Sequence, residues 1–340
     1  MSIQPLVSVI TPSFNQASFI GRTLESVRQQ DYSHIEHIVI DGGSTDGTQD
    51  ILRSRADSYP LRWLSEKDRG QADAINKGFA MVKGDVIGWI NSDDTFAAGA
   101  LGCVATVFAQ NADVAWVYGD GLWIDENDRV TGEWISQSEN LLGLLTDRYY
   151  IVQPTVFFRR SLLDALGGLD ESLHFTLDVD FFWRMALRSH GHYIPRVLAT
   201  RRLHADAKSV AHVSRFAPER LRILDKLFAS GGLPAEIEQK RDQIYGYSHF
   251  VIGASYFTDR DMRMARQHLW KAFALDKLHA PLRDVKTLVL IMESALGIYP
   301  YEPRQPNRST FRYANEAQTA IWWESPETYA SADHQVGMTP

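Results

Sequence analysis

The sequence predicts an α/β protein: a mixed sheet flanked by helices, followed by a C-terminal helical extension. Three observations lead there. Between Leu6 and Ile90, short apolar runs alternate with segments whose apolar residues recur at helical spacing. Between Trp116 and Arg160 short strand-like runs are separated by turn-rich stretches, and beyond about Ala211 the pattern is almost purely helical. Repeated βα units imply a parallel sheet covered on both faces. The later runs read as antiparallel additions to it.

In chain order, Leu6–Ile10 is a first strand, stopped by Pro12. A helix follows from Ser18 to about Gln30, burying Phe19, Ile20, Leu24 and Val27. Ile35–Ile40 is a second strand ending at Asp41-Gly42-Gly43, and Gly47–Arg55 is helical. Leu61–Leu64 is a short strand, Gln71–Val82 a helix carrying Asn76 and Lys77, and Val86–Ile90 a fourth strand. Trp116–Tyr118, Gly121–Ile124, Val130–Trp134 and Thr155–Arg159 read as further strands. Helices are expected at Ser161–Leu166 and Val179–Leu187, then strands near Tyr193 and over Leu198–Leu203, leading into His204.

Four helices, Phe216–Phe228, Ala235–Phe257, Arg260–Leu275 and Leu282–Leu296, would form a small bundle. Ala265–Leu275 looks like part of one tetratricopeptide-type helix pair, but a single copy makes no solenoid. After Pro300 the polar, proline-bearing composition points to a loosely ordered tail over 300–340, with Trp322-Trp323 as a local docking point.

The 340 residues, 44% hydrophobic, suffice for one full core and a second small one. A net charge of −7 argues against nucleic acid as a partner, which asks for a basic surface. Cys103 is the only cysteine, so no intramolecular disulfide forms and a reducing cytoplasm is the expected compartment. Met1-Ser2-Ile3-Gln4-Pro5 lacks the basic start and apolar run of a signal peptide. No run approaches the roughly 18 to 20 apolar residues of a membrane span.

Ligands of open parallel sheets sit outside the carboxyl ends of the strands. Three polar clusters fall there: Thr11-Pro12-Ser13, Asp41-Gly42-Gly43-Ser44-Thr45-Asp46 and Asn91-Ser92-Asp93-Asp94. Adjacent acids repel each other, and Asp93-Asp94 would project from a rigid apolar strand. They fit a cation or sugar hydroxyls, and equally a solvated strand-end turn. Mg2+ or Mn2+ takes oxygen ligands, often one or two carboxylates plus phosphate oxygens.

These clusters resemble the motifs of family 2 glycosyltransferases of the GT-A fold, a Rossmann-like α/β arrangement. The resemblance runs through Thr11-Pro12-Ser13-Phe14-Asn15, the stretch from Asp41 to Thr48, Asp68-Arg69-Gly70-Gln71 on to Gly78, and Asn91-Ser92-Asp93-Asp94. It continues through Gln153-Pro154, Gly167-Gly168-Leu169-Asp170-Glu171, Asp178-Val179-Asp180-Phe181-Phe182-Trp183-Arg184 and Arg202-Leu203-His204. It spans roughly residues 5 to 210.

The resemblance implies a domain over 1–210, with a nucleotide-sugar-binding half at 1–115 and an acceptor and catalytic half at 116–210. The helical extension would then cover 211–299. It implies that Asp41 accepts a hydrogen bond from the donor's base, with Thr11 and Pro12 lining that pocket and Ser13, Asn15 and Asn76 belonging to the same donor site. Asp68 and Arg69 would contact the nucleotide, Ser92 and Asp93 the ribose side, and Asp94 a Mn2+ or Mg2+ ion bridging the diphosphate, with His204 able to reach the metal. Asn91 stands where many relatives carry an acid.

Asp178 would be the general base, although Leu177 precedes it where a Glu is common. On position alone, Asp178 is also readable as an acid favoured by a helix N-terminus, and His204 as a satisfied structural residue. Asp180, two residues on, would point away from Asp178 on a helix.

The implied reaction is inverting transfer of a sugar, from a UDP-sugar first and GDP or dTDP next, to a saccharide or lipid-linked saccharide hydroxyl. Surface-polysaccharide assembly is the implied setting. The helical tail, with Trp270, Trp322 and Trp323, would dock on a membrane surface, the inner face of the cytoplasmic membrane, or on a partner. The oligomeric state has no readable signature. A dehydrogenase would show G-x-G-x-x-G after the first strand, and no such motif, nor G-x-x-x-x-G-K-[ST], is present. A nucleotidyltransferase would carry an early basic, Gly-rich loop where Ser13-Phe14-Asn15-Gln16 stands. A noncatalytic nucleotide-sugar scaffold is disfavoured by Asp94 and Asp178 being present together.

Overall fold

The computed structural model describes residues 4–138, 140–146, 151–204 and 215–276, with isolated positions 289 and 292. Its centre is a nine-stranded mixed sheet in the order β3-β2-β1-β4-β8-β6-β9-β5, with β7 paired to β6. The strands are β1 Val7–Ser13, β2 Ile35–Asp41, β3 Leu61–Ser65, β4 Val86–Trp89, β5 Thr95–Phe96, β6 Trp116–Ile124, β7 Val130–Trp134, β8 Phe157–Arg159 and β9 His192–Arg202.

The first four strands pair in parallel, each preceded or followed by a helix: α1 Ile20–Arg28, α2 Thr48–Arg55 and α3 Gln71–Met81. β1 and β2 are buried at every position, and the polar residues inside them pair across the strands, Ser8 with Glu36 and Thr11 with His37. Their amino ends are tied by Glu36, which accepts from Ser8 Oγ at 2.6 Å and from the Gly84 amide at 3.2 Å at the entry to β4.

The second half departs from the expectation of purely antiparallel additions. β8 is antiparallel to β4 and β6, but β6 and β9 pair in parallel over most of their length. β6 is one nine-residue strand where Trp116–Tyr118 and Gly121–Ile124 were expected separately, because Gly119 and Asp120 stay in the sheet through a register shift against β9. β9 likewise merges the two expected strands. Gly88 on β4 lets the Phe157 ring lie on the backbone: a Cβ there would sit 2.5 Å from that ring.

The remaining helices are α4 Ala100–Gln110, α5 Leu141–Leu145, α6 Arg160–Leu166, α7 Leu177–Arg188, α8 Phe216–Ala229, α9 Ala235–Gln239, α10 Arg241–Thr258 and α11 Met262–Leu275. α4 was not anticipated. Its buried stripe of Ala100, Leu101, Val104, Ala105 and Phe108 is helical in spacing, but Gly102, Thr106 and Val107 between those positions mask it. The expected helix over Ala235–Phe257 is interrupted at Lys240, whose φ of −100° and ψ of 16° separate α9 from α10. The expected helix over Leu282–Leu296, apart from positions 289 and 292, the 300–340 tail and Trp322-Trp323 lie outside the described residues.

Apolar residues of α7 (Phe181, Phe182, Trp183) and of α8 (Ile223, Leu224, Leu227) share one core with Ile10, Ile38 and Trp89 of the sheet. The helix that opens the C-terminal segment therefore packs directly on the α/β body. α10 and α11 lie side by side, with Phe250, Leu269 and Ala272 buried between them.

Candidate active site

At the carboxyl ends of β1 and β4 a crevice of about 370 Å³ opens, closed on its far side by the turn into α7 and by α8. One wall is made by strand ends. β4 stops at Trp89, and the next residues turn so that the Asp94 amide donates to the Asn91 carbonyl at 3.1 Å. Asp94 is only 2% exposed. Its Oδ1 accepts from the Arg202 amide at 2.8 Å, and its Oδ2 from Asn91 Nδ2 at 3.3 Å. Burial, and then the neighbouring Asp93 charge, push the Asp94 carboxyl up to about 8.

Asp93 faces His204, with Oδ2 and Nε2 at 3.0 Å. β9 brings that histidine in, together with Arg202, whose buried guanidinium donates to the carbonyls of Asp93 and Asp125 at 2.8 and 2.7 Å and pairs with Asp128 at 2.6 Å. Beside this wall, Asp68 accepts from the Gly70 amide at 2.9 Å. Gly42 leaves it room, since a Cβ there would stand 2.6 Å from Asp68 Oδ2. Ser13 Oγ and Gln16 Oε1 in the same lining are buried with no hydrogen-bond partner among the described residues. Such orphaned polar atoms are costly unless a ligand or water meets them.

The opposite wall carries Asp178, in the first turn of α7. Its Oδ1 accepts from the Val179 amide at 2.9 Å. Burial raises its pKa above the usual carboxylate range, while the Val179 hydrogen bond and Arg201 act the other way. His174, Phe175, Leu177 and Phe216 continue this wall. Asp180 is turned away and held by Arg184 at 2.8 Å, as the helical spacing requires.

The crevice thus assembles Pro12, Ser13, Asp68, Ser92, Asp93, Asp94, Asp178 and His204. Five expected donor-site residues lie outside its lining. Asp41 has no exposed surface, and its carboxylate is consumed by the amides of Gly43 and Ser44 and the hydroxyls of Ser44 and Ser65. Thr11 is fully buried against His37 at 2.9 Å. Asn15, in the left-handed region at φ 53°, braces the loop by accepting from the Thr45 amide. Arg69 pairs with Asp73 and Glu171 at 2.8 and 2.6 Å, and Asn76 clasps the amide and carbonyl of Leu169 at 2.8 and 3.0 Å.

Sequence reasoning underrated two amides. Asn91 accepts from Gln71 at 2.8 Å and donates to Gln153 at 3.2 Å as well as to Asp94, while Gln153 donates to the Trp89 carbonyl at 2.9 Å. An amide can donate and accept at once, as an acid at that position could not. The only signal was that Gln71, Asn91 and Gln153 each fall inside a recognisable motif.

A sugar-nucleotide-binding α/β enzyme is the class that this fold and crevice define, and the comparisons with known proteins give the family. The model of glycosyl transferase family 2 matches residues 8–167. The glycosyltransferase Rv1514c of Mycobacterium tuberculosis is 35% identical over 190 residues, covering 55% of this chain and 71% of that relative. This chain belongs to glycosyltransferase family 2.

Solved structures agree on the GT-A fold. TarS of S. aureus superposes with a TM-score of 0.59 at 18% identity, over 86% of this chain and 54% of TarS, so the chain spans about half of that protein. A shorter form of TarS is in complex with UDP-GlcNAc. The mannosyltransferase PcManGT of Pyrobaculum calidifontis, in complex with GDP-Man and Mn2+, gives 0.58 at 20% identity over 87% of this chain and 88% of its own. Among the described residues no helix is long and apolar enough to cross a membrane.

Proposed function

We propose that this glycosyltransferase is metal-assisted and inverting. It would move a hexosyl or N-acetylhexosaminyl group from a UDP-sugar to a hydroxyl of a saccharide or lipid-linked oligosaccharide, in surface-polysaccharide or glycoconjugate synthesis. One observation carries the reading. A single crevice holds a carboxylate pair on strand ends and, on the other wall, one carboxylate of raised pKa at a helix start.

The donor lies along the strand-end wall. Pro12, Ser13, Gln16 and Asp68 take the nucleoside, with the unpartnered Ser13 Oγ and Gln16 Oε1 finding their partners there. Ser92 and Asp93 take the ribose side. Asp94, with Asp93 and His204 close by, fits Mn2+ or Mg2+: the donors are mainly oxygen, and a buried carboxylate that resists ionisation is stabilised by an adjacent cation. Among the described residues no three acidic, histidine or cysteine side chains form a closed metal cage. Held by Asp94, such an ion would offset the charge on the leaving nucleoside diphosphate. PcManGT, bound to GDP-Man and Mn2+, supports the class of donor and ion.

Asp178 is the general base. The acceptor oxygen attacks the anomeric carbon as its proton passes to the Asp178 carboxylate, and the bond to the diphosphate breaks with its electron pair leaving on the phosphate. A single attack on the face opposite the diphosphate inverts the anomeric configuration. The raised pKa makes the carboxylate a better proton acceptor than a solvated one. The rings of His174, Phe175 and Phe216 offer the acceptor sugar apolar faces. Trp270, 52% exposed on α11, supports a peripheral membrane contact. Vesicle flotation of the parent and Trp270→Ala would weigh that contact, and equal flotation would discard it.

The test is nucleotide release from UDP-, GDP- and dTDP-sugars with Mn2+ or Mg2+, then with EDTA. Metal-dependent release from one donor, lost in Asp178→Asn, is expected. Donor binding without release in the presence of any offered acceptor would favour a noncatalytic scaffold. No donor binding at all would remove the reading.

A further inference from the structure

One buried acid is left without a role by the account above. Glu219, on the first full turn of α8, is 7% exposed. Its Oε1 accepts from the His174 amide at 2.8 Å. Its Oε2 accepts from the Phe175 amide at 2.8 Å, the Thr176 amide at 3.0 Å and Thr176 Oγ1 at 3.0 Å. All four donors belong to the turn that leads into α7, two to four residues before Asp178.

Helix starts leave backbone amides without intrahelical partners, and a side chain at the cap usually answers them. α7 has no such cap, because Thr176 makes no side-chain cap bond and its hydroxyl donates to Glu219 instead. A carboxylate 43 to 45 residues further along the chain holds the Thr176 amide at the helix start and the two amides before it. It is firmly placed. The neighbouring Arg220 donates to Ser248 Oγ at 3.0 Å and lies over the Trp183 ring at 5.4 Å, and Phe216 packs on Phe175 with ring centroids 5.3 Å apart.

We propose that Glu219 is a positioning residue for sugar transfer: it fixes the turn 174–176 and so sets where the first turn of α7 presents Asp178 to the acceptor hydroxyl. This rests on Asp178 being the base. Glu219 lies outside the crevice lining, so its loss should act on the chemical step and spare donor binding. A misplacement of the base by about 1 Å costs on the order of 100-fold in rate.

The experiment compares the full-length parent with Glu219→Ala and Glu219→Gln in nucleotide release, donor affinity and amide hydrogen exchange. Gln keeps one acceptor oxygen but turns an N–H toward backbone donors, so it should fall between parent and Ala. Expected are a kcat lowered about 100-fold in Ala and about 10-fold in Gln, a donor Kd within about twofold of the parent, and faster exchange at the amides of 174–176. If Ala fails to fold, Gln alone carries the comparison. A folded variant with faster exchange at 174–176 but parental kcat would overturn the positioning role while leaving the transferase reading intact. A kcat loss matched by an equal loss of donor affinity would also overturn it, as general damage. A parent that neither binds nor releases any donor would remove the transferase reading, and this role with it.

Discussion

The two walls of the crevice are built on different principles. The strand-end wall stands on parallel strands buried on both faces, and its acids sit within a few residues of the strand that aims them. The α7 wall stands on a helix start that owes its order to a different helix, α8. On the first wall the cost of burying charge falls on Asp94, held by the Arg202 amide and Asn91. On the second it is divided between Asp178, which keeps an opening to the crevice, and Glu219, which is enclosed by four donors. On the proposed reading the wall that is stiff by construction serves binding, and the one positioned at a distance serves the chemical step.

That contrast predicts where substitutions will hurt. The largest effect falls on Asp178→Asn, which should lower kcat by about 10²–10⁴-fold while donor Kd, measured by calorimetry, stays near the parent's. A parallel loss of donor binding would erase the distinction between the walls. Asp94→Asn should do the reverse, abolishing the metal-dependent part of donor affinity. Equal donor affinity of this variant with Mn2+ and with EDTA is the expected readout, and a retained metal response would move the ion elsewhere.

Asn91→Leu sharpens the same point. It removes the donors to Asp94 and Gln153 and the acceptor that Gln71 uses, so donor affinity should fall about 10-fold, roughly 1.4 kcal/mol, with kcat less affected. The pH profile reports on the second wall. Asp178 must be ionised to accept a proton and its pKa is raised, so with donor and metal saturating, which holds Asp94 ionised, kcat should climb with pH through a midpoint above the usual carboxylate value near 4. A midpoint at or below 4 would show Asp178 to be either solvated or uninvolved.

The smallest expected effect lies behind both walls, in the α10–α11 pair. His249 and His268 meet there, Nδ1 to Nδ1 at 2.9 Å, and burial pushes His249 down to about 4 and His268 in the same direction. Both folded-state values lie below the unfolded value near 6.5, so the stabilisation is present above 6.5 and is lost as pH falls through about 4. Thermal melts between pH 7 and 4 should show a declining Tm, and His268→Gln should flatten that slope. A slope unchanged in the variant would assign the acid sensitivity elsewhere.

Sequence legibility follows the same line. The apolar run before Asp93 and Asp94 placed them at a strand end and the helical period after Asp178 placed it at a helix start, while the roles proposed for them came from the family resemblance. Asp41 could be placed at a strand end, but not its orientation, since nothing local shows that Ser65 on the next strand would share it with Ser44. α4 hid behind residues of low helix propensity. Glu219 was invisible for a deeper reason. Its partners are backbone amides, which every residue carries, so no side-chain pattern marks the pairing across more than 40 positions. Only the packed core that joins α7 to α8 brings them together.

The reach of Arg202 has a consequence in time. Its amide and guanidinium join Asp94, the Asp93 carbonyl and the 125–128 turn, so the acids of the fourth strand wait on a residue made 108 positions later. During synthesis the early parallel strands can emerge and pair well before β9 and α8 leave the ribosome. On the proposed reading a half-made chain would have an incomplete grip on a donor, and no fixed base with which to waste one on water.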